Sequence, residues 1–149
     1  MQIVKFTKEY LKEVADLEKI CFPTLPWSEG MFLAELENEL CSYFLAKIDD
    51  KVIGYVGMWC VAGEGQITNI AVLPDFRRQG VAKRLLDALF LEAKNKNLEV
   101  LTLEVRASNT PAITLYEKNG FYKTGCRAGY YADNGEDAVL MDKCLTEEI

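Results

Sequence analysis

Between Val100 and Phe121 the chain changes its hydrophobic period once, and that change restricts the folds open to it. The stretch reads VLTLEVRASNTPAITLYEKNGF. Its first half is an apolar, β-branched run (Val100, Leu101, Thr102, Leu103, Val105) that predicts a strand ending at Arg106. Ser108 and Asn109 then offer the short polar side chains that start helices. Ala112, Ile113, Leu115 and Tyr116 fall at helical spacing until Asn119–Gly120 stops the helix. A strand passing so directly into a helix belongs to an α/β architecture. It also sets a carboxylate, Glu104, on the strand and a phenol, Tyr116, on the helix. An acid–base pair on adjoining rigid elements is what a transfer reaction requires.

The remainder of the chain extends this pattern. Gln2 to Thr7 reads as a short strand, and Glu9 to Cys21 as an amphipathic helix with Leu11, Val14, Leu17 and Ile20 on one side. Phe22 to Trp27 holds two prolines and reads as a loop. Ser28 caps a second helix carrying Met31, Phe32 and Leu36. Ser42–Ile48 and Lys51–Val61 form a hairpin about Asp49–Asp50. A turn at Gly63-Glu64-Gly65 leads to a strand over Gln66–Leu73, and a long helix runs from about Arg78 to Lys96. After the strand–helix unit come a strand from Phe121 to about Gly125, an aromatic loop over Tyr130–Gly135, and a last strand over Ala138–Cys144. The order β-α-α-β-β-β-α-β-α-β-β, without linker or repeat, predicts one α/β domain over 1–149 with a mixed sheet.

Composition removes several functions. The sequence has no histidine, so Ser–His–Asp and Cys–His machinery and most catalytic metal sites are excluded, and no metal is expected. Proton transfer falls to Glu, Asp, Tyr, Lys or water. Cys21, Cys41, Cys60, Cys126 and Cys144 are odd in number and lack CxxC spacing, and they read as buried small hydrophobes. A net charge of −6 opposes binding to a phosphate backbone, so no nucleic-acid partner is expected. No apolar run approaches the ~20 residues of a membrane span, and the amphipathic start lacks a signal-peptide core. A cytoplasmic protein with no membrane association is expected.

Residues 68–82 read TNIAVLPDFRRQGVA. A buried strand (Ile70, Ala71, Val72) gives way to a proline turn, two arginines, Gly80 and a helix. The helix start presents unpaired N–H groups and the positive end of the helix dipole. Gly80 lets a ligand approach the backbone, and Arg77 and Arg78 suit phosphate oxygens. This pattern suits a pyrophosphate site that is neither a P-loop nor a dinucleotide fingerprint, and equally a solvated basic helix start whose glycine only permits the turn.

The run Arg77-Arg78-Gln79-Gly80-Val81-Ala82 resembles the R/Q-x-x-G-x-G/A motif of the GNAT superfamily of N-acetyltransferases. NIAV (69–72), LEVRASN (103–109), AITLYEKNGF (112–121), GYYADNGEDAVLM (129–141) and FPTLPWS (22–28) extend the likeness over essentially the whole chain. They are similar to the N-terminal protein acetyltransferases, above all the RimI-type ribosomal-protein alanine N-acetyltransferases and their archaeal relatives. The resemblance implies a GNAT acyl-CoA N-acyltransferase fold, a mixed, mostly antiparallel sheet flanked by helices, in which strands three and four diverge from the next pair. It implies acetyl-CoA as cosubstrate, its pyrophosphate cradled by Arg77, Arg78, Gln79, Gly80, Val81 and Ala82. Its pantetheine arm would pair with the backbone of Ile70, Ala71 and Val72, and Asn109 would touch it too. The resemblance also makes Glu104 the base and Tyr116 the acid. Phe76 stands where tyrosine is common, and Ala82 is an accepted variant.

Transfer from a thioester to an amine needs a neutral nucleophile and a proton for the departing thiolate. An α-amine, with a pKa of roughly 7.7–8, is far easier to neutralise than lysine at about 10.4. One carboxylate and one phenol suffice, without a covalent enzyme intermediate. Residue by residue, plainer readings stand beside these. Glu104 could be a strand carboxylate paired with Arg106, Tyr116 a core tyrosine, Glu64 a turn carboxylate instead of a second base or water ligand, and Trp27 a hydrophobic staple before Ser28. Arg127 reads as structural. Two adjacent tyrosines, Tyr130 and Tyr131, cannot both be core, and rigid amphipathic rings suit gripping a peptide. The resemblance gives them, with the Phe22–Trp27 loop, to the substrate N-terminus. The expected activity is acetylation of a protein N-terminus, most of all the N-terminal alanine of a small-subunit ribosomal protein. The alternatives are acetylation of lysine or a small amine, and a non-catalytic acetyl-CoA-binding or interaction module.

Overall fold

A computed structural model describes residues 1–146. Seven strands form one sheet: β1 (Gln2–Lys5), β2 (Cys41–Ile48), β3 (Lys51–Val61), β4 (Glu64–Val72), β5 (Val100–Arg106), β6 (Tyr122–Tyr131) and β7 (Glu136–Cys144). Their order across the sheet is β1-β2-β3-β4-β5-β7-β6. Every pairing is antiparallel except that of β4 with β5. Four α-helices flank it: α1 (Leu11–Cys21), α2 (Glu29–Leu36), α3 (Val81–Asn95) and α4 (Thr110–Lys118). No helix among the described residues is long and apolar enough to cross a membrane.

The sheet is covered on both faces, and alternation along the strands divides the core. Tyr43, Leu45 and Tyr55 pack with Val14 and Leu17 of α1 and Phe32 of α2. Ala46, Ile53 and Val56 pack with Leu85, Leu86 and Leu89 of α3, where Ile113 and Tyr116 of α4 join them. On β5, Leu101, Leu103 and Val105 are buried while Thr102, Glu104 and Arg106 are only partly so. The two-residue period therefore puts Glu104 on the face opposite the α3 core.

Several boundaries differ from the sequence expectation. The second tight turn is Ala62–Gly63, both at positive φ, so Glu64 opens β4 instead of lying in the turn. A 3-10 turn over Lys8–Tyr10 precedes α1, and β1 stops at Lys5. α3 begins at Val81, because Arg78 and Gly80 both hold left-handed φ. Tyr130 and Tyr131 end a ten-residue strand and do not belong to a loop. Register with β7 shifts before Tyr131, so aromatic content alone could not mark where pairing ends. Cys126 and Cys144 are exposed, contrary to expectation, one on the edge strand and one at the end of β7.

Candidate active site

The site begins where two strands part. β4 and β5 pair only through Glu64–Val100, Gly65–Leu101 and Gln66–Thr102. Beyond Gln66 the described residues of β4 have no strand neighbour on that side. Ile67–Val72 and Leu103–Arg106 thus border a split in the sheet. Backbone N–H and C=O groups along such an edge are left without a strand partner.

Below the split the chain passes through a 3-10 turn (Pro74–Phe76) into α3. Gly80 is the N-cap residue at φ 80°, and no side chain caps the helix there. The first amides of α3 are left for an outside acceptor. A Cβ placed on Gly80 would meet no atom within 4 Å, so the cradle is open to a bulky anion. Arg77 is drawn the other way: its Nε donates to the Val72 carbonyl at 3.0 Å. It also lies beside Cys21, whose thiol burial pushes up and the Arg77 charge partly brings down. Gln79 donates to the Asp75 carbonyl at 3.1 Å and closes the turn. Arg78 and Ala82 flank Gly80 on the helix approach, Arg78 exposed and Ala82 half-buried.

Glu104 lies two residues past the last β4–β5 pair, at the apex of the split. Its side chain is 16% exposed, and Oε1 lies 3.6 Å from Nε of Arg127. The neighbour is therefore Arg127 on β6, not Arg106. Arg106 is fully engaged elsewhere. Its guanidinium donates to both Asp133 oxygens at 3.1 and 2.8 Å, and to Glu136 at 3.5 Å. It also lies 4.1 Å above the Tyr131 ring. Glu136 accepts in addition from the Ser108 amide at 2.7 Å. This clamp folds the β6–β7 turn over the end of β5, and sequence reasoning missed it. The one signal was the cluster of Asp133, Glu136 and Asp137 close behind the tyrosine pair.

The clamp positions that pair. Tyr130 and Tyr131 meet edge to face at 5.1 Å. Tyr130 is half exposed, and its phenol pKa is raised above 10, first by the adjacent Glu104 carboxylate and then by burial. Tyr131 is raised as well, chiefly by burial, with Arg106 opposing. Both rings thus belong to the surroundings of Glu104. Glu64 does not. It pairs with Val100, four residues before Glu104 along a parallel ladder, or roughly 13 Å of strand at ~3.3 Å per residue.

Tyr116 comes from α4. Asn109 caps that helix, its Oδ1 accepting from the Ala112 amide at 3.2 Å. The Tyr116 ring is 5% exposed and packs edge-on against Phe121 at 5.6 Å. Burial, and secondarily the nearby Tyr131, push its phenol well above the ordinary value. No hydrogen bond among the described residues involves its hydroxyl, and burial dominates its surroundings. Trp27 packs against Phe32 with ring centroids 5.4 Å apart and planes tilted by 50°, and Ser28 Oγ accepts from Met31 N at 3.2 Å. These contacts make the N-cap and staple of α2.

The split strand pair, the uncapped glycine helix start and the carboxylate at the apex bring an unpaired backbone edge, free amides and an acid into one candidate site. Residues 11–121 match the model of the Acetyltransferase (GNAT) family. The chain belongs to the GNAT acetyltransferases. A Bacillus subtilis (strain 168) protein named provisionally as a [ribosomal protein bS18]-alanine N-acetyltransferase is 41% identical over 140 residues, covering 93% of this chain and 92% of its own. The crystal structure of the ribosomal-protein-S18-alanine N-acetyltransferase from Escherichia coli superposes with a TM-score of 0.89 at 33% identity, over 99% of this chain and 96% of that one. A GNAT family acetyltransferase from Elizabethkingia anophelis with acetyl-CoA bound has a TM-score of 0.77 at 27% identity, over 97% of both chains. The seven-stranded sheet and its flanking helices are thus the GNAT fold. The split between β4 and β5 is where the sequence resemblance expects strands three and four to diverge from the next pair.

Proposed function

We propose that this GNAT acetyltransferase moves acetyl from acetyl-CoA to the N-terminal α-amine of a protein, most favourably the N-terminal alanine of a ribosomal protein. The carrying observation is the position of Glu104 at the apex of the β4–β5 split, facing Arg127 and the clamped tyrosine pair. The names of the Bacillus subtilis and Escherichia coli relatives support the alanine acceptor.

When bound, acetyl-CoA supplies an acyl group activated as a thioester. The uncapped start of α3 and the open Gly80 suit its pyrophosphate, with Arg78, Gln79, Val81 and Ala82 around it. Arg77 contributes by tethering the turn to Val72. The free edge of Ile70–Val72 suits the pantetheine arm, and the family resemblance gives Asn109 a contact with the same cofactor. Glu104 receives a proton from the incoming ammonium. Tyr116 keeps its proton across the neutral range because burial raises its phenol, and it passes that proton to the departing sulfur. Tyr130 and Tyr131 hold the acceptor chain, and Trp27 fixes the Phe22–Trp27 loop through its staple contact. Orientation supplies most of the acceleration.

The test is acetylation of hexapeptides differing at position one, with an N-blocked lysine peptide as control. Alanine-first peptides are expected to be the best substrates, and acetylation of the lysine control alone would refute the assignment. Glu104→Gln is expected to lower kcat by about 10²–10⁴-fold with unchanged acetyl-CoA affinity. An unaltered rate would remove Glu104 as base.

A further inference from the structure

Two carboxylates lie under the α1–α2 side of the sheet and take no part in the mechanism above. Glu18 on α1 is 2% exposed and Glu35 on α2 is 9% exposed. Each reaches β4 through a buried tyrosine. Glu18 Oε2 accepts from the Trp27 amide at 3.1 Å, and Oε1 accepts from the Tyr55 hydroxyl at 2.5 Å. The Tyr55 oxygen in turn accepts from the Asn69 side-chain amide at 3.0 Å. Glu35 accepts from the Tyr43 hydroxyl and from Trp59 Nε1, both at 3.0 Å. The Tyr43 oxygen lies 3.2 Å from Thr68 Oγ1, which donates to the Gly57 carbonyl at 3.3 Å. Gly57 makes this route possible, because a Cβ there would fall inside the Tyr43 ring.

Both chains end on one irregularity. Gly57 pairs with Asn69 and Met58 with Ile67, so Thr68 is the extra residue of a bulge in β4. A bulge turns the backbone that follows it, and here that backbone is Ile70–Val72, the edge left free at the split. The Glu18 chain also has a second end. Through Trp27 it holds the loop that leads into α2. A buried carboxylate is costly to desolvate, and apolar side chains of equal volume would stabilise the core at least as well. Stability therefore does not account for it, whereas a fixed geometry between loop and strand does.

We propose that Glu18 and Tyr55 are positioning residues whose chain Trp27–Glu18–Tyr55–Asn69 locks the acceptor loop to the β4 bulge and so fixes amine and acyl carrier in one register. The proposal rests on the acetyltransferase reading but does not depend on which amine is the acceptor. Tyr55→Phe keeps the ring and removes only the link, and Asn69→Ala severs its far end. Each is expected to lower kcat about 10- to 100-fold, the cost of a small misplacement, with acetyl-CoA affinity by calorimetry within about twofold. Glu18→Gln, which keeps one acceptor oxygen, recovers part of what Glu18→Ala loses. The Tyr55→Phe/Asn69→Ala pair loses no more than the worse single variant, since both break one chain. Hydrogen exchange read by mass spectrometry rises together over 22–31 and 64–72 in Tyr55→Phe and stays unchanged over 85–95. That readout needs no acceptor, so it judges the chain even if the choice of amine fails. A kcat within twofold of the parent, losses that multiply in the double variant, or exchange rising in one segment alone would overturn the proposal.

Discussion

Tyr116→Phe separates stability from chemistry at a single atom. The ring is 5% exposed and packed edge-on against Phe121 at 5.6 Å, and phenylalanine keeps both features. The deleted hydroxyl makes no hydrogen bond among the described residues, so its loss strands no partner. Folding stability should change by no more than about 0.5 kcal/mol. Catalysis should not be spared. Removing a general acid costs about 10²–10⁴-fold, or about 2.7–5.4 kcal/mol at 1.36 kcal/mol per decade. The assay pairs a thermal melt with single-turnover acetylation of an alanine-first peptide at saturating acetyl-CoA. The pH profile adds a second check. Burial lifts the Tyr116 phenol above its ordinary 10.0, so the parent enzyme should show no loss of kcat from this group below pH 10. A rate loss below about threefold, or a loss matched by a collapse in Tm, would refute the reasoning.

Other perturbations follow from the same geometry. Arg106→Ala releases Asp133, Glu136 and the Tyr131 ring together. Because the pairs are partly solvated, it should cost about 1 kcal/mol or less and lower Tm by about 2–4 °C, while raising the peptide KM several-fold more than that of acetyl-CoA. Acid should act on the same clamp. Arg106 holds the Asp133 carboxyl below its ordinary 3.8, so the clamp's contribution is complete above that pH and is lost as pH falls through the lower folded value. Tyrosine resonances of Tyr130 and Tyr131 should stay dispersed at pH 4 and collapse only below it. Gly80→Ala strains a left-handed position by about 1 kcal/mol without a clash in the free protein. It should weaken coenzyme A about tenfold by calorimetry, and an unchanged affinity would place the pyrophosphate elsewhere.

Local signals in the sequence carried the elements and the choice of chemistry. The period change after Arg106 marked β5 and α4, and Asn109 caps that helix as its residue type predicts. Gly80 marked an open turn because only a residue without a Cβ sits there at little cost. The absence of histidine left Glu, Asp, Tyr, Lys or water for proton transfer, and the family resemblance put Glu104 and Tyr116 forward among them. These inferences depend on neighbours within a few residues, and such neighbours are fixed by the chain itself.

The partners of those groups were set by contacts far apart in sequence. Glu104 faces Arg127 across the sheet because β7 lies between β5 and β6, an order that no periodicity encodes. Arg106, two residues away on the same face, is instead taken by an acidic turn some thirty positions on. Trp27 packs on Phe32 in a tilted pair, a staple contact that depends on where α2 turns back against its own entry loop. Glu18 and Glu35 are buried because the opposing tyrosines of β2 and β3 enclose them and bind their carboxylates. The sequence by itself thus determined which residue types could do chemistry and which elements carry them. Only the tertiary structure decided which charges meet, because an ion pair or buried hydrogen bond depends on distances that strand order and register alone establish.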